Sequence, residues 1–233
     1  MSDKVCLAML LDSPLQSWGF ASRFQRRTTG LHPTKSGVIG LISAAMGLAK
    51  GSSEERTMLP KLAALETISI AIPRNVRAAG GLLPVLRLDD YHTVLGTRRA
   101  SGATSKDAVI THRQYLLDAR FGIILVGEPV VLERAAAALE DPVWGVWLGR
   151  KSSIPAAPIL RGKFETRTEA ERALIGEAPI EQFTRLEEVA DFGAGTDSYN
   201  DQPVSFGTAE SSAEGREYSL RRVNLIVRKT SDA

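Results

Sequence analysis

VCLAMLLDSPLQSWG, residues 5–19, is the stretch from which the architecture can be read. Seven apolar residues in succession, 5–11, stop at Asp12, Ser13 and Pro14. An apolar run this short, closed by turn formers, reads as a buried strand. It does not alternate apolar with polar residues, so both faces of that strand must be covered. A long connection follows over 12–33, holding Pro14, Gly19, Gly30 and Pro33 with three arginines, Arg23, Arg26 and Arg27. Connections of this length inside a compact domain are functional or lack fixed structure. A helix is expected next, over 35–49. Thr34 and Ser36 both stand as N-caps, and Val38, Leu41, Ile42, Ala45 and Ala49 share a face. Gly37 and Gly40 each cost such a helix about 1 kcal/mol relative to alanine. Close packing on the sheet and close approach of a ligand both account for them.

Outward from this core, 50–60 reads as a linker, and TISIAI at 67–72 as a second strand ended by Pro73. Residues 74–113 lack periodicity and read as an excursion between strands. Strand character returns over 114–126, a helix is expected over 130–139 behind Pro129, and a short strand over 144–148. The order β-α-β-(excursion)-β-α-β is the ferredoxin-like arrangement. Beyond 150 the pattern weakens to a short helix near 167–175, strands near 182–189 and 218–228, and a polar, glycine-rich stretch at 192–215. The expected class is α+β. A ferredoxin-like (RRM-like) βαββαβ domain spans 1–149 with an insertion at about 74–113, and a small, mainly β domain spans 150–233.

Composition narrows the functional classes. The chain has 233 residues, a formal net charge of +2 and a single cysteine, Cys6. One cysteine builds neither a disulfide framework nor a thiolate metal site, and a reducing, cytoplasmic setting fits. The apolar run at 5–11 is too short for a secretory leader, and nothing approaches the roughly 18 apolar residues of a membrane span. The charge is uneven. Residues 1–127 carry 16 Lys/Arg against 9 Asp/Glu, whereas 128–233 carry 13 against 18. A polyanion partner for the first half and a two-toned solvated surface both fit that asymmetry.

Four places invite a phosphate. Thr34-Lys35-Ser36-Gly37 opens a helix, where unpaired N–H groups and the helix dipole favour an anion; a glycine just before the lysine, which a P-loop needs, is replaced by Thr34. Trp18 precedes Arg23, Arg26 and Arg27; the tryptophan reads as a core anchor and the arginines as phosphate contacts. The excursion gathers Arg74, Arg77, Arg87, Arg98, Arg99, Lys106 and Arg113 around Tyr91 and His92. Gly149-Arg150-Lys151-Ser152 supplies a further contact or a plain turn. Catalysis has little support: no metal-spaced Asp/His cluster, metalloprotease helix or nucleophile elbow is present, so no catalytic residue, metal or cofactor is expected. A metal-independent ribonuclease needs a base and an acid beside one phosphate; His112 near Tyr115 and Lys106, or His92 beside Tyr91, are the residues that could supply them.

Two blocks, LDSPLQSWG (11–19) and HPTKSGVIGLISAAMG (32–47), together resemble the N-terminal signature of the CasD family, the type I-E CRISPR Cascade subunit of the RAMP superfamily. DYHTV (90–94), THRQYLLDARF (111–121) and DPVWGVWLGRKSSIPAAPIL (141–160) follow in the family's order. The resemblance covers 4–160 well and the remainder loosely. It implies a ferredoxin-like domain with a thumb, a smaller C-terminal domain, and a non-catalytic role capping the 5′ handle of the CRISPR RNA. The thumb would lie across that RNA beside the backbone subunit CasC, with the large subunit CasA at the same end. Repeat cleavage would belong to CasE, although the type I-C counterpart is itself a repeat endonuclease. By position, the resemblance makes Arg26, Arg27, Lys35, Ser36 and Gly37 handle-facing, Arg98 and Arg99 thumb contacts, and Arg150 and Lys151 members of the late block. A protein–protein scaffold without RNA contact is the third class that the sequence leaves open.

Overall fold

The computed structural model describes residues 4–19, 26–76, 81–82, 85–98, 101–104, 107–207 and 215–228. β1 (Val5–Asp12) is buried from Cys6 to Leu11. Its odd residues Leu7, Met9 and Leu11 enter one apolar cluster and its even residues Cys6, Ala8 and Leu10 another. The unbroken apolar run is thus a strand with a core on each face, as expected, and each large side chain withdrawn from water contributes roughly 1.5–3 kcal/mol. Two short strands, β2 (Leu15–Gln16) and β3 (Arg26–Arg27), lie on the long connection. α1 (Lys35–Ala45) starts where Thr34, in extended conformation, accepts a hydrogen bond from the Gly37 N–H at 3.2 Å. It ends sooner than expected, because Gly47 takes a left-handed φ of 69° and donates to the Ala44 carbonyl.

The segment expected as a linker is helical: α2 (Ser53–Ala63) starts at a Ser52 cap and runs through Pro60. Pro60 is exposed and lacks only one donor, while Met58, Leu59 and Leu62 are buried. β4 (Glu66–Ala71) follows. The excursion is not irregular. After a short pair, β5 (Asn75–Val76) with β6 (Gly81–Leu82), it forms a hairpin of β7 (Leu86–Val94) and β8 (Val109–Leu117), in register from Leu86 opposite Leu117 to Val94 opposite Val109. The single strand expected over 114–126 breaks at Asp118, whose φ of 48° turns the chain into β9 (Arg120–Gly127). α3 (Pro129–Glu140) has Pro129 in its first turn, as expected. No strand forms over 144–148. The strand that completes the set is β10 (Leu160–Phe164), followed by α4 (Arg167–Ile175), β11 (Arg185–Glu188), β12 (Asp197–Phe206) and β13 (Arg216–Ile226). Much of the stretch expected as polar loop at 192–215 is therefore strand.

The structure is α+β, with four α-helices among the described residues and a large antiparallel sheet in the order β10-β1-β9-β4-β11-β13-β12. The sheet runs without a break across the 149/150 position, and β10 pairs with β1. The projecting β7–β8 hairpin is rooted in a second sheet, where β7 runs along one edge of β8 and β2 and β3 pair with the other, at Leu116–Leu117 and His112–Arg113.

Candidate nucleic-acid interface

The helix start expected to hold a phosphate already holds an anion. Asp201 on β12, 2% exposed, accepts from the Lys35 backbone N–H at 2.8 Å and from Arg221 Nε and Nη2 at 2.8 and 2.7 Å. The Lys35 side chain, 1% exposed, reaches both Glu188 carboxylate oxygens at 2.8 and 2.9 Å. Burial draws its ammonium below the usual lysine range despite Glu188. Two cations and two carboxylates therefore close on one another beneath the hairpin of β12 and β13. The anion site is real, but it is filled by the chain itself, and Lys35 has no face left for RNA. Gly37 is equally settled: a Cβ there would lie 2.9 Å from Thr34 Oγ1 and 3.0 Å from the Trp18 ring, so close packing accounts for it. Ser36 is half-buried at the edge of a cleft beside Trp144.

Trp18 is the core anchor expected, 1% exposed with Nε1 donating to Gln16 Oε1 at 3.0 Å. Gln16 Nε2 in turn bonds the Leu11 and Ala119 carbonyls, which fixes the loop against the β8–β9 turn. That anchoring sets β3 parallel to β8, with Arg26 opposite His112 and Arg27 opposite Arg113. Both β3 arginines are exposed. Arg150 arrives from the 143–153 segment, which is docked by the Ser17 N–H on the Leu148 carbonyl. Its Nη2 donates to the Arg27 carbonyl at 2.9 Å and its guanidinium lies 4.5 Å from the Tyr115 ring centre. Burial alone would raise the Tyr115 phenol, yet hydrogen bonds from Arg150 and Ser152 bring it below the usual tyrosine range. Lys151 sits 5.7 Å from the centre of the Trp147 ring.

Arg27, Arg113 and Arg150 thus gather beside Tyr115, while Arg26, one residue along β3, falls with His112 on the other face of that sheet; among the described residues no carboxylate pairs with these four or with Lys151. Arg113 Nε and Arg150 Nη1 are buried with no hydrogen-bond partner among the described residues, an arrangement that asks for an incoming acceptor. Trp147, 38% exposed, borders this face through Lys151, and Trp144, 44% exposed, lines the cleft with Ser17 and Gly149. Sequence reasoning passed over both; two tryptophans three residues apart in a segment with glycine and proline, just before Arg-Lys, were the available signal. Arg98 lies towards the hairpin tip, in a bridge with Thr104. Arg23 and Arg99 fall outside the described residues. Arg74, grouped above with the basic excursion, is paired with Asp12.

The histidine pairs expected for a ribonuclease do not converge. His112 and Tyr115 are three residues apart on β8, hence on opposite faces, and His92 alternates with Tyr91 in the same way. Instead Tyr91 and His112 face each other across the ladder, ring centres 5.2 Å apart and nearly edge-on. His32 is half-buried, held to a pKa of about 4 by loss of solvation. Among the described residues no group of three or more His, Cys, Asp or Glu is placed to hold a metal ion, and no helix is long and apolar enough to cross a membrane.

Fold and site together define an α+β protein with a basic, tryptophan-edged face at the root of a projecting hairpin, a surface suited to a single-stranded phosphate backbone. The model of the CRISPR-associated protein (Cas_Cas5) family matches residues 6–224. The CRISPR system Cascade subunit CasD of Escherichia coli (strain K12) is 30% identical over 183 residues, covering 75% of this chain and 77% of the relative. Among solved structures, a chain of a CRISPR RNA-guided surveillance complex superposes with a TM-score of 0.71 at 26% identity, covering 95% of this chain and 89% of the other. A Cas protein crystal structure gives 0.62 at 27% identity, with 97% and 98% covered. The chain belongs to the CRISPR-associated Cas5 family.

Proposed function

We propose that this chain is a non-catalytic, RNA-gripping subunit of a type I-E CRISPR surveillance complex, holding the 5′ handle of the CRISPR RNA in the cytoplasm. The cluster of Arg27, Arg113 and Arg150 beside Tyr115, without a carboxylate partner among the described residues and flanked by Arg26 and Lys151, is the observation that carries the reading. Guanidiniums neutralise successive phosphates and set the strand's register, and the two tryptophans offer stacking planes. The four strands in the order β10-β1-β9-β4, each antiparallel to its neighbour and interleaved with α1 and α3, support a ferredoxin-like unit. The β7–β8 hairpin is then the thumb, with Arg98 towards its tip and CasC and CasA as neighbours in the assembly. Residues beyond β10 act as a smaller C-terminal part that closes the α1 start through Glu188, Asp201 and Arg221. Ser36 and Gly37 flank the path of the RNA without binding it.

One observation favours a second reading, a metal-independent repeat endoribonuclease: the exposed Tyr91–His112 pair places a phenol and an imidazole on one face of the hairpin. Incubation of the pure chain with repeat RNA in a metal chelator separates the two. Recovery of bound, intact RNA is expected. Clean cutting that disappears in His112→Ala would overturn the non-catalytic reading.

A further inference from the structure

A cavity of about 420 Å³ lies beside His32, between the foot of the β7–β8 hairpin and the end of β4. Leu31, Pro73, Val85 and Leu86 give it apolar walls. Three guanidiniums line it: Arg74, Arg120 and Arg228. Asp12 pairs with Arg74 and lies 3.8 Å from Arg120 Nε, and Asp118 adds a carboxylate at the rim, so the lining keeps an excess of positive charge. Arg120 Nε is buried without a hydrogen-bond partner among the described residues. Arg228 gives its backbone N–H to Thr184 Oγ1, and among the described residues its guanidinium has no partner. His32, whose Nδ1 is 3.4 Å from Ser69 Oγ, puts an uncharged imidazole in the wall.

A second cavity, of about 470 Å³, shares Leu31 and His32 and reaches Arg87 and Gln114. Leu31 is 51% exposed and stands as a divider between the two. Residues 26–34 lead from the β3 arginines to this divider, so a strand that follows Arg26 and Arg27 arrives here within a few residues. An apolar slot with a few convergent polar groups and cations at its mouth has the chemistry of a nucleotide: a flat base inside, an anionic phosphate at the rim.

We propose that this cavity receives one unstacked nucleotide of the bound strand, base inward beside His32 and phosphate on Arg120 and Arg228, with Leu31 parting it from its neighbour. The proposal rests on the RNA-binding reading above, so its test must fail separately. The full chain is titrated with fluorescent repeat-derived RNAs in which each nucleotide in turn is abasic, and with Leu86→Trp and Arg228→Gln variants whose folding is verified by thermal melts. Leu86 is 49% exposed, so a tryptophan there fills the slot without entering the core. Loss of one particular base is expected to weaken binding about 10-fold, and that penalty should vanish in Leu86→Trp while the salt dependence of binding stays. Uniform tolerance of abasic positions, or an undiminished penalty in Leu86→Trp, would overturn the cavity while leaving RNA binding standing. Should the chain bind no RNA, titration with the four nucleoside monophosphates decides. Binding lost in Arg228→Gln supports the cavity, and absence of binding sinks it.

Discussion

The Asp201 carboxylate caps the backbone N–H of Lys35 at 2.8 Å from another part of the sheet, 166 positions along the chain. It does for α1 what a bound phosphate would do. Because Arg221 is 4% exposed and directs Nε and Nη2 at the same carboxylate, Asp201→Ala strands a buried cation as well as a helix N–H. Removing one partner of a buried pair costs about 3–5 kcal/mol, which for a chain of this size lowers Tm by roughly 10 °C. A melt within about 2 °C of the parent would show that the network does not hold the helix.

Two glycines on one helix should answer oppositely to the same substitution. Gly37→Ala forces a Cβ against Trp18 and Thr34 and is expected to destabilise by about 1–3 kcal/mol. Gly40→Ala meets only Phe206, at 3.8 Å, and should stabilise by up to about 1 kcal/mol through helix propensity. Urea unfolding of both variants reads the signs. A stabilised Gly37→Ala would return the glycine to the ligand-approach explanation.

His32 sets a pH dependence. The unfolded chain protonates this residue near 6.5, whereas the folded chain resists until about 4. Between those values the unfolded state holds the extra proton, so stability falls as pH is lowered from 6.5 to 4 and is flat above for this group. The full loss is about 3 kcal/mol. His32→Gln should remove that slope in melts taken from pH 7 to 4, and an unchanged slope would assign it to other groups.

The elements legible in the sequence are those with strong local signals. The apolar run at 5–11, the cap at Thr34 and Pro129 before an alanine-rich helix each carry their own explanation, and each lies where expected. What failed was decided by partners far along the chain. β7 is largely exposed, so its sequence shows no burial alternation; its pairing with β8 along its whole length makes it a strand. Lys35 looked like a phosphate ligand because its neighbours Glu188 and Asp201 are more than 150 positions away. Arg150 was legible as a basic residue, but not its place against Tyr115 and Arg27, which depends on how 143–153 docks on Ser17. At α2, Gly51, Ser52 and Pro60 look like breakers, yet Gly51 and Ser52 precede the helix, Ser52 caps it and Pro60 rides its exposed side.

The central claim, that RNA is gripped by the face joining β3 to Arg150 and not by the α1 start, is tested most directly by the salt dependence of RNA affinity. For single-stranded RNA each phosphate contact contributes about 0.7 to the slope of log K against log salt. Arg27→Ala with Arg150→Ala should flatten that slope by roughly 1.4, and Lys35→Met should leave it unchanged while lowering Tm. A slope untouched in the double variant, or flattened in Lys35→Met, would contradict the account.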